Sequence, residues 1–218
     1  MSDALPEAPA EGRDWFGARF DVSRETMAKL DRYAELLGDW QAKYNLVGPA
    51  TLPYVWTRHF ADSAQIADLP RKVAHRPRWL DIGSGGGFPG LVVALLTGDS
   101  VTLVDSVRKK TAFLEAVRDE IGLTSTVVIQ TARVESLDSP KFDIVTARAC
   151  APIVKLFDWA GNSAAKSATW LLLKGAAADD EIAEAKRRFD FDYECIASLT
   201  DPRGRIVRAT NVRGKRRR

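Results

Sequence analysis

Asp81-Ile-Gly-Ser-Gly-Gly-Gly-Phe-Pro-Gly90 is the stretch of this 218-residue chain whose residue types and spacing are best fitted to chemistry. Glycines let the backbone bend sharply and approach a ligand closely, and a helix starting just beyond them presents unpaired N–H groups. The short apolar run Trp79-Leu80 reads as the end of a buried strand. Leu91-Val-Val-Ala-Leu-Leu96 reads as a helix, with Pro89 suited to its first turn. Strand, glycine turn and helix in that order form a nucleotide-binding device. The fine pattern narrows the ligand. A dinucleotide fingerprint G-x-G-x-x-G counted from Gly83 needs a glycine at 88, where this chain has Phe88. The pattern present is acid-x-G-x-G-x-G, with Asp81, Gly83, Gly85 and Gly87. A second acid, Asp105, closes the strand-like run Val101-Thr-Leu-Val-Asp105. Its carboxylate would accept both hydroxyl hydrogens of a ribose, or would cap a helix starting near Val107.

The elements that must position these groups follow from periodicity. Met27, Leu30, Tyr33, Ala34, Leu37, Trp40 and Tyr44 recur at steps of three and four, which predicts a helix from Ser23 to about Val47. Ser23 caps that helix and Asn45-Leu-Val-Gly-Pro49 ends it. A second helix is expected from Thr51 to about Asp68, with Arg58 and Asp62 as an i, i+4 pair and His59 near Asp62 and Ser63. From Arg78 onward strands are predicted at 78–82, 101–105, 126–130, 142–147, 169–173, 191–198 and 205–210. Helices are predicted at 89–97, 107–121, 152–162 and 179–189. The alternation predicts an α/β Rossmann-like fold: a doubly wound, mostly parallel, seven-stranded sheet with N-terminal accessory helices. Asp201-Pro-Arg-Gly204 favours a closing antiparallel hairpin. The expected organisation is a disordered extension over 1–20, a helical cap over 21–72, a core over 73–211 and a basic tail over 212–218.

Composition bounds the function classes. A chain of this length buries one substantial core, and no apolar run reaches membrane-spanning length. Residues 1–14 have neither a basic start nor an apolar segment, so they do not read as a secretory signal, and a cytoplasmic location is expected. Cys150 and Cys195 are too few for a disulfide framework or a zinc site, and Cys150 reads as a small buried hydrophobe. No metal and no membrane contact are expected, and the expected state is a monomer. Charge is unevenly spread. Eight basic residues and no acidic one lie from Arg203 to Arg218, so without them the formal charge of +3 becomes −5. Such a tail fits nucleic-acid phosphates, or serves as a solvated solubility tail.

The glycine turn resembles the first motif of methyltransferases that use S-adenosylmethionine, whose zwitterionic amino-acid portion suits an acidic strand end. Several absences narrow the type. No Asp/Asn-Pro-Pro-aromatic tetrapeptide follows the fourth strand, no Pro-Cys setting surrounds Cys150, and no His, Cys or Asp cluster points to metal-assisted transfer. Further segments resemble one family, the bacterial small-subunit rRNA guanine-N7 methyltransferase of the glucose-inhibited-division B type. They are Lys43-Tyr-Asn-Leu-Val-Gly-Pro49, Arg58-His-Phe-Ala-Asp-Ser63, the run from Asp81 to Leu91, Val104-Asp-Ser-Val-Arg-Lys-Lys-Thr-Ala-Phe-Leu114, Arg133-Val-Glu135, Thr146-Ala-Arg-Ala149 and Leu171-Leu-Leu-Lys-Gly175.

That resemblance implies methyl transfer from S-adenosylmethionine to N7 of a guanine in the 530 loop of 16S rRNA, with the rRNA or the small ribosomal subunit as partner. It implies cofactor contacts at Gly83, Phe88, Val134, Glu135 and Arg148, alongside Asp81, Gly85 and Asp105 from the turn itself. Arg148, His59 and Lys174 are the candidate catalytic residues. Arg148 and Lys174 close predicted strands, where ligands bind in open α/β sheets. Arg148 would contact ligand or RNA, or form a surface ion pair. Lys174 would meet a phosphate or a base edge. Glu135 would bond the adenine amine or cap a helix, and His59 is either site wall or a satisfied core histidine. Guanine N7 presents an in-plane lone pair in the neutral base, so the reaction needs alignment and charge stabilisation rather than a general base. A methyltransferase of another substrate and a non-catalytic RNA-binding module are the rival readings.

Overall fold

The computed structural model describes residues 12–69, 76–138 and 141–215. Seven strands form one sheet in the order β3-β2-β1-β4-β5-β7-β6. They are β1 Arg78–Ile82, β2 Ser100–Asp105, β3 Val127–Thr131, β4 Phe142–Arg148, β5 Ala164–Lys174, β6 Phe189–Ala197 and β7 Arg205–Gly214. The first five pair in parallel, while β7 is antiparallel to both β5 and β6, as the alternation and the Asp201–Gly204 turn predict. Chain order reverses between β1 and β4. A crevice opens there, beyond the carboxyl ends of the strands.

Helices α4 Gly90–Thr97, α5 Arg108–Glu120, α6 Ile153–Ala160 and α7 Ala178–Arg188 cover the sheet. On one face α6 and α7 bury Leu156, Phe157 and Ile182 with Trp170 and Val207. On the other, α4 and α5 share a single core with the N-terminal helices α1 Arg13–Arg19 and α2 Arg24–Gln41. Leu30, Tyr33 and Leu37 of α2 are fully buried there, so the helical spacing marks a core-facing stripe. The N-terminal extension differs from expectation. Residues 13–19 are helical rather than disordered, because Phe16 is fully buried against Phe20, Trp56 and Phe60. Its aromatic anchors outweigh a composition otherwise poor in apolar groups; residues 1–11 lie outside the described ones.

Two predicted helices break early. α2 stops at Gln41, whose side-chain oxygen accepts from the backbone N–H of Leu46 at 2.9 Å and of Val47 at 3.1 Å. A side chain thus satisfies backbone groups that a continuing helix would have used. The helix expected over 51–68 is a 3-10 turn Pro49–Tyr54, a π-helical turn Trp56–Ala61 and a short α3, Asp62–Ala64. Wider winding shifts side chains off the i, i+4 register. Arg58 accordingly turns to Asp201 at 3.3 Å, and Asp62 instead meets Arg148.

Candidate functional site

The site is built on the turn after β1. Gly83, Gly85 and Gly87 adopt φ of +66°, +54° and +88°, a region that side chains rarely enter. The turn is latched to the neighbouring strand: Gly83 N donates to Val104 O at 2.8 Å and Gly85 N to Asp105 Oδ2 at 3.0 Å. A Cβ at Gly83 would strike the Cys150 sulfur, and one at Gly87 would strike the Tyr33 hydroxyl. A Cβ on Gly85 would make only ordinary contacts, at 3.7 Å from Gly83 O and 3.8 Å from Leu46 O, so strain rather than crowding selects glycine there.

Two cavities of about 710 and 350 Å3 open at the crevice and share Gly83, Lys110 and Ala149. The smaller is lined by Asp105, Val134, Glu135 and Cys150, and the larger by Phe88, His59, Arg148 and the loop from Asn45. Cys150 is exposed rather than the buried hydrophobe the sequence implies, because the left-handed Ala149, φ +50°, turns the chain outward after β4. Burial around its thiol raises the pKa above the usual value, so it is not a poised thiolate.

Asp81, near the end of β1, is fully buried beside the glycine turn and lines neither cavity. Its Oδ2 accepts from Gly90 N at 3.3 Å, at the N-terminus of α4, while Oδ1 has no hydrogen-bond partner among the described residues. Burial raises its pKa to about 7, partly offset by the neighbouring Ser84 hydroxyl, the Gly90 N–H and the charge of Arg148. An unpaired carboxylate oxygen buried under a ligand crevice fits a cationic group such as an ammonium. Asp105 lines the smaller cavity and also caps the backbone around it. Both oxygens already accept backbone N–H groups, Oδ2 from Gly85 and Oδ1 from Val107 at 2.9 Å, so it holds the turn and keeps only its remaining lone pairs for a sugar.

Arg148, at the end of β4, stands in the wall of the larger cavity. It donates to Arg58 O at 3.0 Å, to Asp62 Oδ2 at 3.3 Å and to His59 Nδ1 at 2.9 Å, and its guanidinium sits 5.0 Å from the centre of the Phe88 ring. Phe88 lies between Tyr33 and His59, with ring centroids 5.2 and 4.9 Å away. Burial and the neighbouring Arg148 and Arg58 lower the His59 pKa to about 3, so the ring is neutral at any physiological pH. Lys174 lines the larger cavity with its ammonium already engaged. Its ammonium is held by Glu181 at 2.8 Å and by Ala151 O at 2.5 Å, because α7 brings Glu181 over the end of β5. Val134 is buried in the core beside the smaller cavity, and Glu135 is exposed on a 3-10 turn.

Sequence reasoning missed three contributors. The Tyr33 hydroxyl donates to Gly86 O beneath the glycine turn, where periodicity marked only core. Gln41 fixes the loop over that turn. The Thr200–Asp201 pair, of which only Asp201 was read, as a hairpin residue, completes the wall: Thr200 Oγ1 donates to Asp62 Oδ1 at 2.8 Å and Arg58 pairs with Asp201. A hydroxyl in an apolar stripe was the one local signal available. Three of the eight cations from Arg203 onward are ion-paired within the fold: Arg203 with Asp201, Arg208 with Glu194 and Lys215 with Asp190. β7 runs away from the crevice, pairing Arg205 with Lys174 at its start and Gly214 with Phe189 at its end. Arg216, Arg217 and Arg218 lie outside the described residues.

Comparison with known proteins agrees with this architecture. Residues 26–204 match the family model GidB, rRNA small subunit methyltransferase G. The ribosomal RNA small subunit methyltransferase G of Gluconobacter oxydans is 40% identical over 192 residues, 88% of this chain and 97% of that protein. Its counterpart in Rhodospirillum rubrum is 43% identical over 202 residues, 90% of this chain and 96% of that protein. Among solved structures, a SAM-dependent methyltransferase from Aquifex aeolicus superposes with a TM-score of 0.56 at 13% identity, covering 76% of this chain and 94% of that one. The ribosomal protein L11 methylase of Lactobacillus delbrueckii subsp. bulgaricus gives 0.53 at 17% identity, covering 71% and 79%. At such identities these two show a shared fold.

Proposed function

The chain belongs to the rRNA small subunit methyltransferase G family, and from that premise we propose that it methylates N7 of a guanine in the 530 loop of 16S rRNA. Its methyl donor is S-adenosylmethionine, which when bound supplies a methyl group on a positively charged sulfur. The observation that carries the reading is the joined pair of cavities at the strand-order reversal, formed around the glycine turn and walled by Arg148. Gly83, Gly85 and Phe88 would hold the amino-acid portion, with the unpaired Asp81 oxygen toward its ammonium. Asp105, Val134 and Glu135 would hold the nucleoside. The target base would enter the larger cavity beside Arg148.

The side chains of that cavity suit a nucleophile that keeps no proton. His59 is neutral with both ring nitrogens engaged, Asp62 is paired with Arg148, and Asp201 with Arg58. None stands ready to take a proton, and N7 attack asks for none. What remains for the protein is alignment, which the four attachments of Arg148 and the clasped glycine turn provide.

An RNA partner is supported by a broken local rule. α5 opens with Arg108, Lys109 and Lys110 and has no acid in its first turn, although cations oppose the positive end of a helix dipole. Lys110 faces both cavities, and its side chain makes no hydrogen bond or ion pair among the described residues. Such an arrangement favours phosphates at the cavity mouth.

The test is methyl transfer from labelled S-adenosylmethionine to small-subunit RNA, offered naked and as the assembled subunit, followed by N7-specific cleavage and primer extension. A single stop in the 530 loop is expected. Label at another atom or another RNA position overturns the assignment.

A further inference from the structure

His59 is tied at both ring nitrogens, and the direction of each bond is fixed by its neighbours. Arg148 lies 2.9 Å from Nδ1, and a guanidinium only donates, so Nδ1 carries the lone pair. Thr51 Oγ1 lies 2.8 Å from Nε2 and also donates its single hydrogen to Gly48 O at 2.6 Å, so toward His59 it accepts. Both ends independently require the same tautomer, with the proton on Nε2. The ring is buried at 5% exposure, stacked 24° from parallel on Phe88, and its own carbonyl accepts from Ser63 Oγ at 2.7 Å. The result is one unbroken donor chain from Arg148 through His59 and Thr51 to the Gly48 carbonyl.

That carbonyl belongs to the loop over the glycine turn. Leu46 O and the Val47 side chain lie 3.3 and 3.2 Å from where a Cβ on Gly86 would be, so loop and turn are in close contact. Gln41 anchors residues 46 and 47 at one end of this loop, and the His59 chain anchors 48 and 51 at the other. The loop contributes Asn45, Val47 and Pro49 to the larger cavity, which Arg148 also lines.

We propose that His59 is a positioning residue: as a neutral Nε2–H tautomer it joins the Arg148 guanidinium to the 45–51 loop, so that both walls of the base cavity hold one arrangement. This rests on the reading of the larger cavity as the place of the target base. It goes further in assigning the histidine a structural link between two elements rather than a proton-transfer role.

The experiment compares His59→Phe, which keeps a ring against Phe88 but neither hydrogen bond, with His59→Gln, whose planar amide offers an acceptor and a donor. Thr51→Val and the double variant with His59→Phe complete the set, each checked for an intact melting transition. Single-turnover rates with saturating cofactor should fall roughly tenfold in His59→Phe and in Thr51→Val, the order expected for losing a buried hydrogen bond at an aligned site. The double variant should be no worse than either single, and His59→Gln should recover most of the rate. Cofactor affinity should change little. Amide hydrogen exchange over residues 46–51 should accelerate in the Phe and Val variants and not in Gln, and this holds whatever RNA proves to be the substrate. A Gln variant as inactive as Phe, additive single effects, or unchanged exchange in His59→Phe overturns the proposal.

Discussion

The rings of Tyr33 and Phe88 lie 5.2 Å apart and 11° from parallel, and the Tyr33 hydroxyl donates to the Gly86 carbonyl. One residue of helix α2 therefore supports the glycine turn by its face and by its tip. Tyr33 is fully buried, which raises its phenol pKa well above the ordinary value and keeps the hydroxyl a donor. Removing the ring by Tyr33→Ala should cost about 3–5 kcal/mol of stability, the range for truncating a buried aromatic. Tyr33→Phe should cost about 1–2 kcal/mol, since it strips one partner from a buried carbonyl. Denaturant titration of both variants, with cofactor affinity alongside, checks the order.

Asp81 gives the free protein a pH dependence of definite sign. Its folded pKa of about 7 lies above the unfolded value of 3.8, so the folded state holds a proton the unfolded state has lost. That contribution is fully present below the unfolded value and is lost as pH rises toward and through about 7. A ligand ammonium beside Oδ1 favours the ionised form. S-adenosylmethionine should therefore bind more tightly as pH rises from about 6 to about 8, releasing protons at the lower end. Calorimetry in two buffers of different ionisation enthalpy measures that release. Asp81→Asn should abolish both the proton release and the slope, and a flat profile in the unaltered protein sinks the assignment.

Arg148 and Lys174 should separate in function, although both end strands at the same edge. Arg148→Ala should lower the single-turnover rate by roughly a hundredfold or more, the scale of displacing aligned groups by an ångström. Arg148→Lys should not restore it, because one ammonium cannot reach Arg58 O, Asp62 and His59 together. Lys174→Ala leaves Glu181 with only the Ile153 N–H as partner and should reduce thermal stability more than rate. A Lys174 variant that folds normally but is inactive would restore it to the catalytic set.

The basic tail should affect affinity without touching chemistry. β7 spans ten residues from Arg205 to Gly214, roughly 30 Å of strand, and carries the chain to the edge of the sheet opposite the crevice. Because Gly214 still pairs with Phe189, a clean truncation removes only Arg216–Arg218. If these meet phosphates, rRNA affinity should fall and the slope of log K against log salt should flatten by about 2–3. Single-turnover rate at saturating RNA should be unchanged. A slope identical to that of the full chain makes the tail a solubility device.

Local pattern alone determined the nucleotide-binding character of this protein. Turn geometry in a strand–turn–helix depends on a few consecutive residues, so glycines at 83, 85 and 87 with acids at 81 and 105 were readable without a fold. The same holds for the alternating strands and helices and for the antiparallel hairpin after Asp201. What the tertiary structure decided are pairings between residues far apart in the chain. Arg148 and Lys174 look equivalent in sequence, each a cation closing a strand. Only packing shows that α7 brings Glu181 to Lys174, while the π-helical turn brings His59 and Asp62 to Arg148. Arg58 and Asp62 have helical spacing yet choose other partners, because wider winding and the hairpin turn at Thr200–Asp201 offer better ones. The tautomer of His59 is likewise set by groups 8 and 89 positions away. Backbone conformation is a short-range property and survives in sequence; a side chain's hydrogen-bond partner and charge environment are long-range properties that exist only once the chain has closed on itself.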